Sequence, residues 1–356
     1  MDPLTHALAG AAAARVVAAR PLAGAALLPG ALAALLPDLD ALIRSSADPL
    51  LYAEFHRHFT HALAFVPIGG AVAAAPWLMA RRYHARRSAY LAAATAGYAT
   101  HGVLDASTTY GTLLLWPFST TRISWDIVPI VDPLLTLALL LMVGLAWRRR
   151  RAWPAAAALL AGGLYLALGA AQRDRAMEAQ ATIAAMRGHE VRRGAVFPGF
   201  GSNLLWRSLY LDDEGRLHMD RLRVAWTGGI SWRAGTDVDL LTFDELPADV
   251  RLDPRLQRDF WRFWWFTDGW VARSAIDPAV VGDARYSESA TRFEAVWGIR
   301  FRPQDDPPIA WIDRSRERRI DAHALWMELR GADPRYRAIR HVRPPDAARP
   351  PEASRP

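Results

Sequence analysis

The chain has 356 residues, enough for two domains, and it contains no cysteine. The lack of cysteine excludes disulfide bonds and thiolate ligands, so a bound metal has to be held by His, Asp, Glu or water. The formal net charge of +7 comes from arginine, because the chain has no lysine. Much of this charge lies in short clusters beside apolar runs, which favours membrane orientation over nucleic-acid binding as its cause.

Six apolar runs fill the first 171 residues. The first two, 4–19 and 22–36, are each short for a membrane span, so they form either a tight hairpin of two short helices or a re-entrant pair. Of the later four, 62–80 is a clear candidate for a span, 88–104 is a weaker one, and 127–147 and 153–171 are strong ones. The sequence therefore predicts, for residues 1–171, an α-helical integral membrane bundle of about four to six apolar helices.

Arginines predict the orientation of this bundle. They cluster in the loops at 81–87 and 148–151, and at the first turn as Arg15 and Arg20. If every run crosses the membrane, all three places lie on one side, which the positive-inside rule makes cytoplasmic. The outer side then collects aspartates and five of the six histidines of this half: His6, Asp38, Asp40, His56, His58, His61, His101, Asp105, Asp126 and Asp132.

A smaller α+β domain is predicted for residues 172–341, on the outer side of the membrane. A polar linker helix at about 172–187 leads into strands and helices expected at 203–211, 216–226, 253–266, 269–275, 281–287, 292–301 and 318–330. The sequence Asp-Asp-Glu-Gly at 212–215 indicates a hairpin turn between the first two strands. Residues 342–356 form a Pro/Arg-rich tail that is predicted to be disordered. The histidines of this half are scattered, without a partner at ligand spacing: His189, His218, His323 and His341.

Two acidic motifs carry the strongest metal-ligand pattern. His101 and Asp105 are spaced i, i+4, so a helix places both on one face, where they bind a cation or form a hydrogen-bonded pair. Ionisable groups near a membrane are costly and tend to mark functional sites, which favours the cation. Asp38 and Asp40 follow a helix that a proline should end, and in an extended chain both carboxylates point to the same face.

Three histidines lie within six residues at 56–61. His56 and Thr60 are again spaced i, i+4, and His61 begins an apolar run. Arg57 beside them suits a phosphate or steadies a carboxylate. The alternative is a wet interfacial loop whose polar residues only anchor the helix. His58 points away from the other two histidines and is left out of the predicted site.

Further candidates extend this site. His6, at the start of the first helix, is an additional ligand because it shares the outer face with the others. Asp126 and Asp132 are candidates for contacts around the ligands or for a second metal, although an N-cap is the simpler interpretation for Asp132, which precedes a proline. The loop at 108–112, which contains Tyr110, is placed to line a substrate cleft.

Several motifs occur together and in order: Asp2-Pro-Leu-Thr5-His6, Leu-Pro-Asp38-Leu-Asp40, His56-Arg57-x-x-Thr60-His61, His101-x-x-x-Asp105, Thr109-Tyr110-Gly111-Thr112 with Trp116-Pro117, and Val131-Asp132-Pro133. Through them, residues 1–145 resemble the membrane-bound family called YdjM-like or YbcI-like, which carries a metal-dependent hydrolase label. The resemblance implies a bacterial inner-membrane protein with a hydrolytic metal site.

A more distant likeness is to the zinc-dependent phospholipase C and nuclease superfamily. That all-helical superfamily uses a His near the N-terminus, then Asp, His and His-x-x-x-Asp. The same order is followed here by His6, Asp38 or Asp40, His56 or His61, and His101 with Asp105. The superfamily's further His-x-x-x-Glu is missing, since no histidine lies between 101 and 189. The likeness therefore implies one or two divalent ions, zinc by analogy.

The sequence thus predicts a multi-pass inner-membrane hydrolase with a metal site on the outer face. The predicted metal ligands are His6, Asp38, Asp40, His56, His61, His101 and Asp105, with Asp105 as a bridging carboxylate and Asp38 or Asp40 as general base. The predicted substrate contacts are Arg57, Thr60 and Tyr110. A site at the headgroup level, beside membrane lipid, favours a phosphoester or other ester of a lipid-like or small molecule. The alternative is a non-catalytic, metal-stabilised membrane protein that binds or regulates a partner through its soluble domain.

Overall fold

The computed structural model describes residues 1–18, 22–287, 292–317 and 321–339. Its first half is helical, with α1 to α7 at Pro3–Val17, Leu27–Leu35, Leu51–Phe55, Val66–Met79, Arg87–Ala106, Pro133–Arg149 and Trp153–Arg187. Short 3₁₀ helices lie between them at Ala23–Ala26, Pro37–Leu42, Phe59–His61, Leu63–Phe65 and Arg81–Arg86. The predicted break at Arg20 and Pro21, the residues 318–320 at the start of the last predicted helix, His341 and the predicted tail lie outside the described residues.

Among the residues that the structure describes, two stretches of helix are long and apolar enough to cross a membrane, Ala23–Leu42 and Trp153–Arg187. A third candidate is the pair Leu51–His61 and Leu63–Met79, which is bent by 58°. The structure thus has a helical region with two candidate spans, a coarser picture than the predicted four to six. Two of the predicted apolar runs form helices that are short for a span, because α1 has 15 residues and α6 has 17, against the roughly 20 that a span needs.

Glycines allow α1, α2 and α5 to cross at close range. A methyl group added to Gly10 would lie 2.5 Å from the carbonyl oxygen of Gly30, and one added to Gly97 would lie 2.4 Å from the same oxygen. The crossing brings α5 against α2, where Nδ1 of His101 lies 2.6 Å from the carbonyl oxygen of Ala34. The glycines therefore help to position a predicted ligand.

The two ends of the helical region differ in charge. At one end, Arg15 of α1 donates a hydrogen bond to the carbonyl oxygen of Arg150 at 2.7 Å. At the other end, the hydroxyl oxygens of Thr5 in α1 and Thr136 in α6 lie 2.6 Å apart. Helices α1 and α6 therefore run side by side in the same direction. The predicted ligands near the start of α1 and at the end of α5 lie opposite the arginine loop at 148–151.

The second half of the chain contains two antiparallel sheets. Strands β1 to β4 and β9 form the first, in the order β1-β2-β3-β4-β9, at Arg193–Pro198, Leu205–Leu211, Arg216–Val224, Ile230–Asp239 and Arg337–Ala338. Strands β5 to β8 form the second in sequence order, at Val271–Arg273, Val280–Asp283, Trp297–Phe301 and Ile309–Asp313. Helices α8 to α10 are at Ala248–Leu252, Pro254–Phe266 and Ala322–Arg330.

Most of the elements predicted for this half are confirmed, including the β2–β3 hairpin with its turn at 212–215 and the aromatic helix α9. Strands β1, β4, β8 and β9 are additional. The predicted linker helix at 172–187 is wrong as a separate element, because α7 runs without a break from Trp153 to Arg187. No proline or glycine interrupts residues 170–187, so the apolar helix continues directly into the polar part.

Helix α7 and an aromatic contact join the two halves. The second part of α7 packs on the first sheet, where Ile183 shares a buried cluster with Trp206. Phe266 of α9 meets Tyr110, which follows α5, with ring centroids 5.2 Å apart. The sheet-rich half therefore rests on the end of the helical region that carries the predicted ligands.

Candidate metal centre

Four side-chain atoms from three segments of the chain converge at the end of α5. The Nε2 atoms of His61 and His101 lie 2.9 Å apart. Asp105 Oδ2 lies 3.1 Å from His61 Nε2 and 3.2 Å from His101 Nε2. Asp38 Oδ1 lies 3.6 and 3.4 Å from the same two nitrogens. All four atoms are within 4.8 Å of one another, as expected for the ligands of one ion.

Helix α5 and a short 3₁₀ helix place three of these ligands. His101 and Asp105 occupy the last two turns of α5, where the i, i+4 spacing puts both on one face. His61 is the last residue of the 3₁₀ helix that starts at Phe59. The backbone before α4 approaches α5 closely, since a methyl group on Gly102 would lie 2.1 Å from the carbonyl oxygen of His61. The missing Cβ thus lets His61 reach the other two ligands.

The two aspartates after α2 point in different directions. The predicted extended chain is wrong here, because residues 37–42 form a 3₁₀ helix with about three residues per turn. Asp38 reaches the two Nε2 atoms, whereas Asp40 Oδ2 lies on the other side of His61, 3.1 Å from Nδ1. Asp40 therefore lies behind the group of four.

Contacts on the far side of each imidazole leave Nε2 available to a metal. Nδ1 of His101 donates to the carbonyl oxygen of Ala34. Nδ1 of His61 faces the carboxylate of Asp40, an arrangement that commonly orients metal-binding histidines. With both Nδ1 atoms protonated, both Nε2 atoms carry a lone pair and point at each other.

Asp40 connects several residues that we predicted at the site. Its oxygens accept hydrogen bonds from the backbone N–H of Arg57 and the hydroxyl of Thr60, both at 2.9 Å. Nδ1 of His56 lies 2.8 Å from Oδ1. The structure places Asp40 and His56, predicted as ligands, and Thr60, predicted as a substrate contact, around His61 rather than within the group of four. This geometry favours an orienting role for all three.

Asp105 has one engaged and one open oxygen. Oδ1 contacts the amine of Met1 and lies 3.1 Å from Nε2 of His6. Oδ2 accepts no hydrogen bond from the described part of the chain, although the residue is completely buried. A buried carboxylate oxygen beside two imidazole nitrogens is an arrangement that suits a cation. His6, a further predicted ligand, stacks on the ring of His101 at 3.7 Å and lies beside the group of four.

The distances fit a small divalent cation. With metal–ligand bonds of about 2.0–2.1 Å, tetrahedral geometry puts the ligand atoms roughly 3.3 Å from one another. The separations observed here range from 2.9 to 3.6 Å and lie around that value. Two imidazole nitrogens and two carboxylate oxygens are donors that zinc accepts.

Arg57 lies under the group as a buried positive charge. Its Nε is 3.2 Å from Asp105 Oδ2, and its Nη1 donates to Thr108 Oγ1 at 2.8 Å. Its guanidinium lies over the Tyr110 ring, 4.7 Å from the centroid. Both Arg57 and Tyr110 were predicted substrate contacts, and both are buried. Their positions favour a supporting role, in which Arg57 balances the charge of Asp105.

Asp38 is the exposed member of the group. Of its side chain 29% is accessible, whereas the other three ligand side chains are fully buried. Leu39 and Leu42, in the same 3₁₀ helix, are also exposed, Leu42 to 77%. The group therefore opens past Asp38 onto an apolar surface.

The remaining predicted acids have other contacts. Asp132 caps α6, because its Oδ1 accepts hydrogen bonds from the backbone N–H of Leu134 and Leu135 at 3.1 Å, which confirms the simpler interpretation. Asp126 lies in the loop before α6, where Ser124 donates to its Oδ2 at 3.3 Å. Burial raises the pKa of Asp126 to about 6.

A second group of donor atoms lies in the sheet-rich half. His189, Asp212 and His218 offer atoms that are all within 4.8 Å of one another. The prediction that the histidines of this half have no partner is therefore wrong for His189 and His218. The β2–β3 hairpin brings Asp212 and His218 together and the end of α7 adds His189, which spacing along the sequence does not show. One signal was present, because Asp212 is the first residue of the predicted hairpin turn and His218 lies in the predicted strand that follows it.

The family model described as YdjM inner membrane protein matches residues 1–176. The match includes the four residues of the metal group and the apolar part of α7, and it ends before β1. No curated protein and no solved structure matches the chain.

Proposed function

Because residues 1–176 belong to the YdjM inner membrane protein family, we propose that the chain is an inner-membrane hydrolase with one divalent metal ion. The ion, for which zinc is our choice, is held by Asp38, His61, His101 and Asp105. One observation carries this proposal: three of the four ligands are buried, and Asp38 faces outward. Such a site would hold an ion firmly, and on the accessible side a water molecule could add to the ion as a fifth ligand.

The acidic residues around the site have different proposed roles in the reaction. A bound divalent metal supplies Lewis acidity, which polarises the scissile bond and brings the pKa of a water molecule towards neutrality. Asp38 would bind the ion through Oδ1, and its other carboxylate oxygen, on the accessible side, would take the proton of the attacking water as general base. Asp40 is less suited to that task, because four donors already surround its oxygens. Asp105 binds through Oδ2 alone, because His6 faces its Oδ1, so a bridging role is not part of the proposal.

The substrate we propose is a phosphoester or other ester of a lipid-like molecule. Leu39 and Leu42 present apolar surface beside Asp38, the accessible ligand. An acyl chain that lies along these side chains brings the polar end of its lipid to the opening of the site. Burial of acyl methylene groups adds binding energy of roughly 0.8 kcal/mol per group.

The orientation that we propose follows from the arginine loops, which lie at the end of the helical region opposite the site. The positive-inside rule makes that end cytoplasmic, so the site and the sheet-rich half face outward. A reporter fused after Gly188, the residue that ends α7, tests this. We expect activity from a reporter that works only outside the cytoplasm. Activity confined to a cytoplasmic reporter contradicts the orientation.

A substrate screen tests the catalytic proposal. Purified protein is loaded with zinc, manganese or iron and given phosphoesters and carboxylic esters, with lipid and aryl leaving groups. We expect hydrolysis of a lipid-like ester by wild type, loss of it in Asp105→Asn, and retention in His84→Ala. His84 is an exposed histidine near the other end, between α4 and α5, which makes it a matched control.

The alternative is a metal-stabilised protein without catalytic activity. The observation that favours it is the number of protein ligands, since four fill a tetrahedral site and closed sites are structural. In that case metal-loaded wild type and Asp105→Asn behave alike on every ester, while wild type unfolds at a higher temperature than the variant. Such a result replaces the hydrolase proposal with a structural one.

A further inference from the structure

We propose that His189, Asp212 and His218 form a second divalent metal site, which is independent of the one at the end of α5. Oδ2 of Asp212 lies 2.7 Å from Nε2 of His218. The rings of His189 and His218 stack with centroids 4.4 Å apart. One donor atom from each of the three residues lies within 4.8 Å of the others. The two groups share no residue, so either can exist without the other.

Contacts behind the donors orient two of them as metal ligands are oriented. Nδ1 of His218 lies 2.8 Å from Oδ1 of Asp237, which directs the other ring nitrogen, Nε2, towards Asp212. Oδ1 of Asp212 accepts a hydrogen bond from the backbone N–H of Arg216 at 2.8 Å, which leaves Oδ2 for the ion. Strand pairing fixes this arrangement, because His218 is opposite Asp237 in the β3–β4 register.

His189 joins the group from α7. It follows Gly188, which ends that helix in the left-handed conformation with φ of 76° and turns the chain towards the sheet. Nδ1 of His189 lies 3.0 Å from the hydroxyl of Tyr210, which is opposite His218 in the β2–β3 register. The tyrosine thus holds one ring nitrogen, and the ring itself lies against His218.

A salt bridge without an ion is the simplest competing explanation. In it, a protonated His218 pairs with Asp212 on one side and Asp237 on the other. That explanation gives His189 no part in the group, although its ring stacks on His218. A divalent ion brings twice the charge of one imidazolium and uses all three donors.

A bound ion at this site would link the helical half of the chain to the first sheet. His189 is attached to the end of α7, while Asp212 and His218 belong to the β2–β3 hairpin. Three protein ligands leave one position of a tetrahedral ion for water, and His189 is only half-buried, so that position is accessible. Two imidazoles and one carboxylate form a donor set that suits zinc.

Metal content of the full-length protein in detergent tests the proposal. The protein is stripped with a chelator, reloaded with zinc, desalted and measured by mass spectrometry. The background variant His61→Ala/His101→Ala removes two donors of the first group. We expect the background to keep about one equivalent of zinc, and addition of His189→Ala to remove it. Addition of His323→Ala, an exposed histidine of α10, leaves the content unchanged.

The same substitutions in the otherwise unchanged chain guard against a background variant that fails to fold. His189→Ala leaves the Asp212–His218–Asp237 contacts in place, so it is the mildest change to the group. We expect it to lower the zinc content by about one equivalent whether or not the first group binds metal. Equal zinc content in wild type, His189→Ala and His323→Ala overturns the second site and leaves the first untouched.

Discussion

The two halves of the chain distribute polar and apolar side chains in opposite ways. In the helical half, Leu141 and Leu160 are exposed, whereas His101 and Asp105 are completely buried. In the sheet-rich half, Phe260 and similar aromatic residues form the core, as in proteins surrounded by water. The first pattern is the one that lipid favours, because apolar side chains face the acyl chains and polar groups pair inside. The candidate metal centre therefore lies in the polar interior of a membrane protein.

The candidate metal centre lies where the two halves meet. Arg262 of α9 pairs with Asp48 at 2.9 Å and with Glu54 at 2.6 Å, in the segment that leads to the ligand His61. The sheet-rich half thus contacts the segment that carries one candidate ligand. The helical half provides the candidate ligands, and the sheet-rich half contacts the segment that carries one of them. Substitutions in the two halves should therefore differ in their effects on stability and on metal binding.

The largest expected effect concerns the lipid-facing surface. Leu160 is 65% exposed in the apolar part of α7, and an arginine there would have to enter the hydrocarbon, at a cost of about 2.5–3.5 kcal/mol. Ile276 is also exposed, but in the sheet-rich half, where the same change costs roughly 0.5 kcal/mol or less. We expect Leu160→Arg to lower membrane insertion and thermal stability far more than Ile276→Arg. Equal effects contradict a lipid-facing α7.

Asp126 should make stability depend on pH. Its raised pKa of about 6 means that the folded protein binds this proton more tightly than the unfolded chain, whose aspartates titrate at about 3.9. The stabilisation is complete below the unfolded pKa and is lost as the pH rises through about 6. Asp126→Asn, which stays neutral, should therefore gain about 2–3 kcal/mol over wild type at pH 8 and little at pH 4. A gain of the same size at both pH values, measured by unfolding, argues against this cause.

Asp40→Asn should weaken metal binding at the end of α5 without abolishing it. The amide cannot accept the hydrogen bond from His61 Nδ1 as strongly, and loss of such a contact typically lowers metal affinity 10–100-fold. Competition with a zinc-sensitive dye measures the change, and Asp174→Asn, at an exposed position of α7, is the matched control. Complete loss of binding would instead identify Asp40 as a ligand, as the sequence predicts.

Arg262→Met tests the contact between the halves and has the smallest expected effect. It removes the pairing with Asp48 and Glu54, both partly exposed, so we expect a loss of about 1 kcal/mol. The control Arg258→Met changes an exposed arginine one turn earlier in α9. A lower melting temperature and weaker metal binding in Arg262→Met alone support the coupling. Equal melting temperatures and equal metal binding in the two variants contradict an effect of the sheet-rich half on the site.

The sequence predicts the ligands that depend on local geometry. His101 and Asp105 share a face because any α-helix brings i and i+4 together, and the helix itself follows from the apolar run. The prediction that Asp38 and Asp40 share a face is wrong, because it depends on the backbone between them, which forms a 3₁₀ helix and not an extended chain. The candidate ligand Asp38 and the orienting residue Asp40 are thus only two positions apart, and the backbone conformation between them decides which of them faces the group of four.

Contacts across the sheet are harder to predict. His218 meets Asp237 and Tyr210 through strand register, which the sequence of one strand does not contain. The approach of His189 depends on α7 continuing to Arg187 and ending at Gly188. The burial of a side chain also depends on elements that are distant in the sequence. Arg57 and Tyr110 are therefore predicted as substrate contacts, although neighbouring elements cover both.

An anomalous difference map at the zinc absorption edge, from crystals of the zinc-loaded full chain, tests the central claim most directly. We predict a peak within bonding distance of Asp38 Oδ1, His61 Nε2, His101 Nε2 and Asp105 Oδ2, at about 2.0–2.2 Å from each. The peak should be absent in crystals of Asp105→Asn. A map without density between these four atoms, or with an ion held by Asp40 and His56 instead, contradicts the account.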